Sequence, residues 1–83
     1  MPLVKGTVVD EKNSPVSGAL IAVESGTAPY PDMAIYSDEK GNFSIHLPSG
    51  HFRLGAHSPE GGSGTVEHDS DSNAHLLIRL GNS

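Results

Sequence analysis

Five histidines are the residues of this 83-residue chain best equipped for chemistry. Imidazole ligates zinc, copper or nickel, and it exchanges protons near neutral pH. Two of them, His46 and His51, bracket the stretch LPSG at residues 47–50. A two-residue turn at Pro48 and Ser49 would set Leu47 opposite Gly50, His46 opposite His51 and Ile45 opposite Phe52. Cross-strand neighbours stand roughly 4.5–5.5 Å apart at Cβ, close enough for two imidazoles to share one ion. Ser44 and Arg53 would lie near that pair. The local sequence offers no third ligand, however, and a guanidinium is a poor neighbour for a cation. Two solvated side chains on an outward sheet face need no ligand, and spacing alone favours that simpler reading. His57, His68 and His75 read as surface or edge residues with no common meeting point.

Acidic residues make a second candidate. In DSDSN, Asp69, Asp71 and Asn73 stand at the first three ligand spacings of a calcium loop. The remainder of such a loop is missing. Ala74 stands where the sharp turn needs Gly, and Leu80 where a bidentate Glu would close the cage. Glu67 could add only charge, so a solvated loop is the simpler reading. His68, Asp69 and Ser70 have the residue types of a hydrolytic triad, yet neighbours on an extended chain point to opposite faces. GGSG at 61–64 lacks the Lys-Ser/Thr of a phosphate loop and opens no helical pattern. Asn42 begins an Asn-Phe-Ser acceptor triplet, which matters only for a eukaryotic secreted chain. No catalytic residue, cofactor or metal is therefore expected. The nearest approaches to a metal site are His46 with His51, then Asp69, Asp71 and Asn73.

Composition narrows the partners. Net charge is −5, with only five Lys plus Arg and no basic cluster. That argues against nucleic acid, whose affinity comes largely from neutralised phosphates, and against anionic membranes. No apolar run approaches the length of a membrane span. The N-terminus MPLVKGTVVD has no leader-like apolar core, which makes cytoplasmic the default; a removed leader would make the chain secreted or periplasmic. Cysteine is absent, so no disulfide framework, thiolate nucleophile or Cys-based metal site is available.

The elements that must position these residues are extended. Ten Gly and six Pro punctuate the chain, and no window keeps a 3.6-residue period. Alternation predicts a strand from Val4 to Asp10, then one with Ala19, Ile21 and Val23 inward. MAIYS resumes extended structure after the loop GTAPYPD. Phe43, Ile45 and Leu47 alternate inward, as do Phe52, Leu54 and Ala56, then a short TVEH strand, then Leu76, Ile78 and Leu80. Seven short strands at this spacing predict one antiparallel β-sandwich domain over residues 1–83. Aliphatic residues must form its core, since the chain has two Phe, two Tyr and no Trp. Tyr30, Met33 and Tyr36 give the proline-bounded loop and the strand after it apolar contact area, the best candidate for a partner surface.

GTVVDEKNSPVSGALIAV followed by YSDEKGNFSIHLPSGHFRLGAH resembles the carboxypeptidase regulatory-like domain. The matching residues are Gly6, Val8, Asp10, Pro15, Val16, Gly18, Ala19, Ser37, Asp38, Gly41, Phe43, Leu47, Pro48, Gly50 and Phe52. They cover most of residues 4–57; beyond His57 only the strand pattern continues. The resemblance implies a seven-stranded, antiparallel Greek-key, transthyretin-like β-sandwich and an accessory module that supports folding, attachment or assembly without catalysis. Two related signatures are absent. Hydroxyisourate hydrolases use a His in the first strand and end in Tyr-Arg-Gly-Ser, where this chain has KGTVVD and IRLGNS. Collagen-adhesin modules form a Lys–Asn cross-link from a Lys two residues before the Asp of the first motif, a position held here by Val8.

The expected function is thus a non-catalytic module that binds a protein or carbohydrate partner, as a monomer or as an edge-paired homodimer. A small His-based metal-binding protein for zinc or copper is the alternative from another class. A transthyretin-fold hydrolase stands third.

Overall fold

Period-two burial becomes seven strands in the computed structural model, which describes residues 3–26, 34–69 and 75–81. They are β1 (Leu3–Val9), β2 (Leu20–Gly26), β3 (Ala34–Tyr36), β4 (Asn42–His46), β5 (His51–His57), β6 (Ser63–Asp69) and β7 (Leu76–Arg79). A three-stranded sheet runs β4-β1-β7, and a four-stranded sheet runs β3-β2-β5-β6. The two pack face to face as a β-sandwich, and no helix occurs among the described residues.

The residues that alternate in the sequence fill the space between the sheets. Val4, Val8, Phe43, Ile45, Leu76 and Ile78 enter from one side, and Ile21, Phe52, Leu54 and Ala56 from the other. Ala19, Leu47 and Leu80 complete the cluster, with Val16, Val23, Ile35 and Val66 packed on its margin. Each fully buried large aliphatic or Phe side chain stabilises the fold by roughly 1.5–3 kcal/mol. Val23 is half-buried opposite Leu54, and the β2–β5 register shifts just after it, between Val23 and Ser25.

Two features differ from the sequence expectation. The hairpin across Pro48 and Ser49 does not form: β4 pairs with β1, and β5 pairs with β2 and β6 in the opposite sheet. His46 therefore stands opposite Leu3 and His51 opposite Asp69, not opposite each other. The reason is that alternation specifies which side chains face the core, and it is satisfied equally by strands that pair and by strands that face each other across the core. Residues 47–50 are a corner between sheets. In addition, β1 and β7 run parallel, with Gly6 beside Leu76 and Val9 beside Arg79, where antiparallel ladders were expected throughout.

The two seams of the sandwich are closed differently. On one side β6 lies directly on the end of β7. Gly64 has no room for a Cβ, which would meet the Arg79 carbonyl oxygen, and Ser63 and Gly81 exchange backbone hydrogen bonds of 3.3 and 2.7 Å. On the other side the chain crosses from β3 to β4 through Ser37, which is buried. Its Oγ accepts a hydrogen bond from Ala19 N at 2.9 Å and donates to Val16 O at 2.6 Å.

Candidate functional site

The acidic stretches that open two loops are held by their own side chains. Asp10 Oδ1 accepts from Lys12 N at 2.8 Å and Ser14 N at 2.9 Å, fixing the turn after β1. A short polar side chain that bonds the backbone two residues on is what makes Asp a turn former. Asn13 completes the turn at φ 65°, and its Oδ1 accepts from Arg79 Nη2 at 2.6 Å. Between β5 and β6, Ser58 Oγ accepts from Glu60 N at 3.0 Å, and Ser58 N donates to Gly62 O at 2.8 Å.

These two loops and the end of β7 enclose a groove of about 450 Å³. Val16 and Leu80 give it an apolar floor, Pro15 and Pro59 line it, and Asp10, Glu11, Lys12 and Glu60 supply its charges. Three carboxylates against one ammonium make its field negative. The sequence singles out neither loop as a binding surface, and the groove was missed. Their acidic residues were visible, but only the fold brings residues 10–17 beside 58–62.

The histidines do not converge. His46 is exposed on the three-stranded sheet. His51 lies on the outer face of the four-stranded sheet, where its Nε2 donates to Glu67 Oε1 at 3.0 Å; Arg53 Nη2 lies 3.7 Å from the same oxygen. The His51 hydrogen bond, then the His51 charge, and in smaller part the Arg53 charge, hold the Glu67 carboxyl below the usual carboxylate range. His57 stands between Leu20 and Ser63 on that face. Across the molecule, Thr7 Oγ1 donates to Asn42 Oδ1 at 2.8 Å, so the His75 ring donates from Nε2 to Thr7 Oγ1 at 2.7 Å.

His68 corrects the surface reading, because it is buried at 7% exposure with Nδ1 lacking a hydrogen-bond partner. Its phase with Gly64 and Val66 along β6 was the available signal. Asp69 closes β6, while Asp71 and Asn73 lie outside the described residues. No group of three or more His, Cys, Asp or Glu that could hold a metal ion occurs among the described residues. Of the expected partner surface, Tyr36 is 69% exposed on β3, and Tyr30 and Met33 fall outside the described residues.

A family model described as the carboxypeptidase regulatory-like domain matches residues 4–80. No curated protein matches the chain.

Proposed function

The chain belongs to the carboxypeptidase regulatory-like domain family, and from that premise we propose that residues 1–83 act as one non-catalytic module that binds a protein partner through the groove at the end of the sandwich. The observation that carries this reading is the groove itself, a concave surface with an apolar floor and a net negative rim. Loops on a rigid scaffold are where binding surfaces concentrate. Charge complementarity selects a partner segment that carries Lys or Arg. A carbohydrate is the other ligand class, and it would use the hydroxyls of Ser17 and Ser58 rather than the charges. The module works as a monomer or as an edge-paired homodimer.

The reactive residue types have structural work in this reading. Asp10, Ser37 and Ser58 hold loops, and the described lining of the groove contains no histidine to serve as a base. The observation on the side of metal binding is the His51–Glu67 pair, two possible ligands with no third grouped with them among the described residues. His46 cannot join them from the other sheet. Calorimetric titration with zinc and copper tests that alternative, and heat lost on His51→Ala would favour it.

Amide NMR of the labelled chain, titrated first with a lysine-rich peptide and then with neutral oligosaccharides, tests the main reading. Shifts grouped at Glu11, Lys12, Ser58 and Glu60 with the peptide, weakened in a Glu11→Lys, Glu60→Lys double variant, are the expected result. No shift at those residues with either probe would refute the groove.

A further inference from the structure

We infer that the free edge of β4 joins two copies of this chain, antiparallel, with Ile45 of each copy at the twofold axis. The inference rests on the edge-paired form of the module and is independent of the groove.

Hydrogen-bond alternation identifies the free groups. Val8 N donates to Gly41 O at 2.7 Å one step beyond the last rung, Thr7–Asn42, and so continues the β1–β4 register at a hydrogen-bonded position. Such pairs recur every second residue in an antiparallel ladder, so Phe43 and Ile45 direct their backbone groups to Gly6 and Val4. Asn42, Ser44 and His46 direct theirs away from β1. Asn42 is occupied: Asp38 N donates to Asn42 O, and Asn42 N donates to Asp38 Oδ1, both at 2.9 Å. Among the described residues, the outward N–H and C=O groups of Ser44 and His46 have no strand beside them.

The other three edges are less open. The side shared by β6 and β7 is closed by the Ser63–Gly81 bonds and by Gly64 against Arg79. β6 also carries Glu67 and Asp69, charges that guard an edge. β3 has only three residues. β4, in contrast, reads NFSIH, with no Lys, Asp, Glu or Pro and no bulge in its ladder.

A second copy fits this edge because the segment is self-complementary. With Ile45 on the axis, Ser44 of each copy pairs with His46 of the other, and four backbone hydrogen bonds form. Centring on Ser44 would bring in the occupied Asn42, and centring on His46 would oppose Ser44 to Pro48, which has no N–H. Only the Ile45 register uses every free group. No like charges oppose each other across it, since Leu3 and Lys5 lie one strand further out. Two five-residue strands bury less than the roughly 1,200–2,000 Å² of a standard interface, so the pair dissociates on dilution. Each copy carries −5, and salt that screens this repulsion strengthens the pair.

Sedimentation equilibrium of the full chain over a concentration series, with two variants, tests the inference. The wild-type mass is expected to rise from monomer toward dimer. Ser44→Pro, which removes an outward N–H, is expected to hold the monomer mass at every concentration with an unchanged β-sheet circular-dichroism spectrum. The chain has no cysteine, so a Ser44→Cys, His46→Cys double variant is expected to oxidise cleanly to a disulfide-linked dimer that reductant splits. If Ser44→Pro fails to fold, the cysteine pair decides. A wild type that stays monomeric at millimolar concentration, or a cysteine pair that oxidises without linking two chains, would overturn the inference. Either result leaves the peptide titration of the groove to judge the module reading separately.

Discussion

Asn13 and Gly41 occupy the same place in two copies of one turn. Asp10-Glu11-Lys12-Asn13-Ser14 and Asp38-Glu39-Lys40-Gly41-Asn42 begin alike, and each Asp Oδ1 accepts from the N–H groups two and four residues later. In both, the fourth residue has positive φ, 65° for Asn13 and 77° for Gly41, and donates to the carbonyl of its Asp at 3.0 and 2.9 Å. What differs is the surroundings. Asn13 keeps a side chain and uses it to hold Arg79, whereas Gly41 has none because the chain passes too close.

The consequence is a sharp contrast between two glycines. A Cβ on Gly41 would stand 2.6 Å from Val8 O and 3.1 Å from Val16 N, both backbone atoms that cannot turn aside. Gly18 has nearly the same φ, 72°, but open space around it. Gly18→Ala should cost about 1–2 kcal/mol, the left-handed penalty alone. Gly41→Ala should cost more, about 3 kcal/mol or beyond, as the β1–β4 ladder is pushed apart. Urea unfolding of the two variants side by side measures the difference; equal losses would contradict the geometry.

Ser37 holds the β3–β4 crossing with both functions of its hydroxyl. Ser37→Ala leaves Ala19 N and Val16 O without that partner at a buried position, and a loss of about 2–4 kcal/mol is expected. Ser37→Thr keeps the hydroxyl and should lose less than half as much. Thermal or urea unfolding checks both variants, and amide exchange at Ala19 should accelerate in the Ala variant only.

His68 is a polar ring in an apolar place. Its Nδ1 is buried and unpartnered, and Phe52 is its strand neighbour. An unsatisfied buried polar atom costs about 1–3 kcal/mol. His68→Leu should therefore stabilise the fold by about 1 kcal/mol, raising the urea midpoint with an unchanged slope. A destabilised His68→Leu would show that the ring's shape matters more than its orphaned nitrogen.

Glu67 provides a pH signature. Its folded carboxyl is held below the ordinary value by the His51 hydrogen bond and charge, helped less by Arg53. A depressed folded value means that the contribution to stability is present above the ordinary carboxylate range and is lost as pH falls through the lowered value. Because the pair is half-exposed, the effect on stability is small and screened by salt. Carbon-detected NMR titration should find Glu67 titrating below the ordinary glutamate range, and His51→Ala should return it most of the way.

Much of the fold is legible in the sequence, because alternation reports burial directly. Phe43, Ile45, Leu47, Phe52, Leu54, Ala56, Leu76, Ile78 and Leu80 all face the core as their spacing requires. Pairing is another matter. Both β4 and β5 point inward, and nothing in NFSIHLPSGHFRL distinguishes a hairpin from a corner that carries the chain to the opposite sheet. The doubled DEK turn was in plain view, but its meaning depends on hydrogen bonds that only the folded backbone reveals. The groove was hidden for a different reason: Glu11 and Glu60 stand far apart in the chain. His68 shows that a residue's type can mislead where its phase does not.

The parallel pairing of β1 with β7 governs how this unit would respond to tension. These neighbours run in the same direction, with Gly6 beside Leu76 and Val9 beside Arg79. A pull applied at Leu3 and at Gly81 therefore drags the two strands past each other along their length. The rungs between them are loaded together rather than unzipped one after another, so the ladder resists as a block. A chain anchored at both ends would bear force through its middle sheet strand.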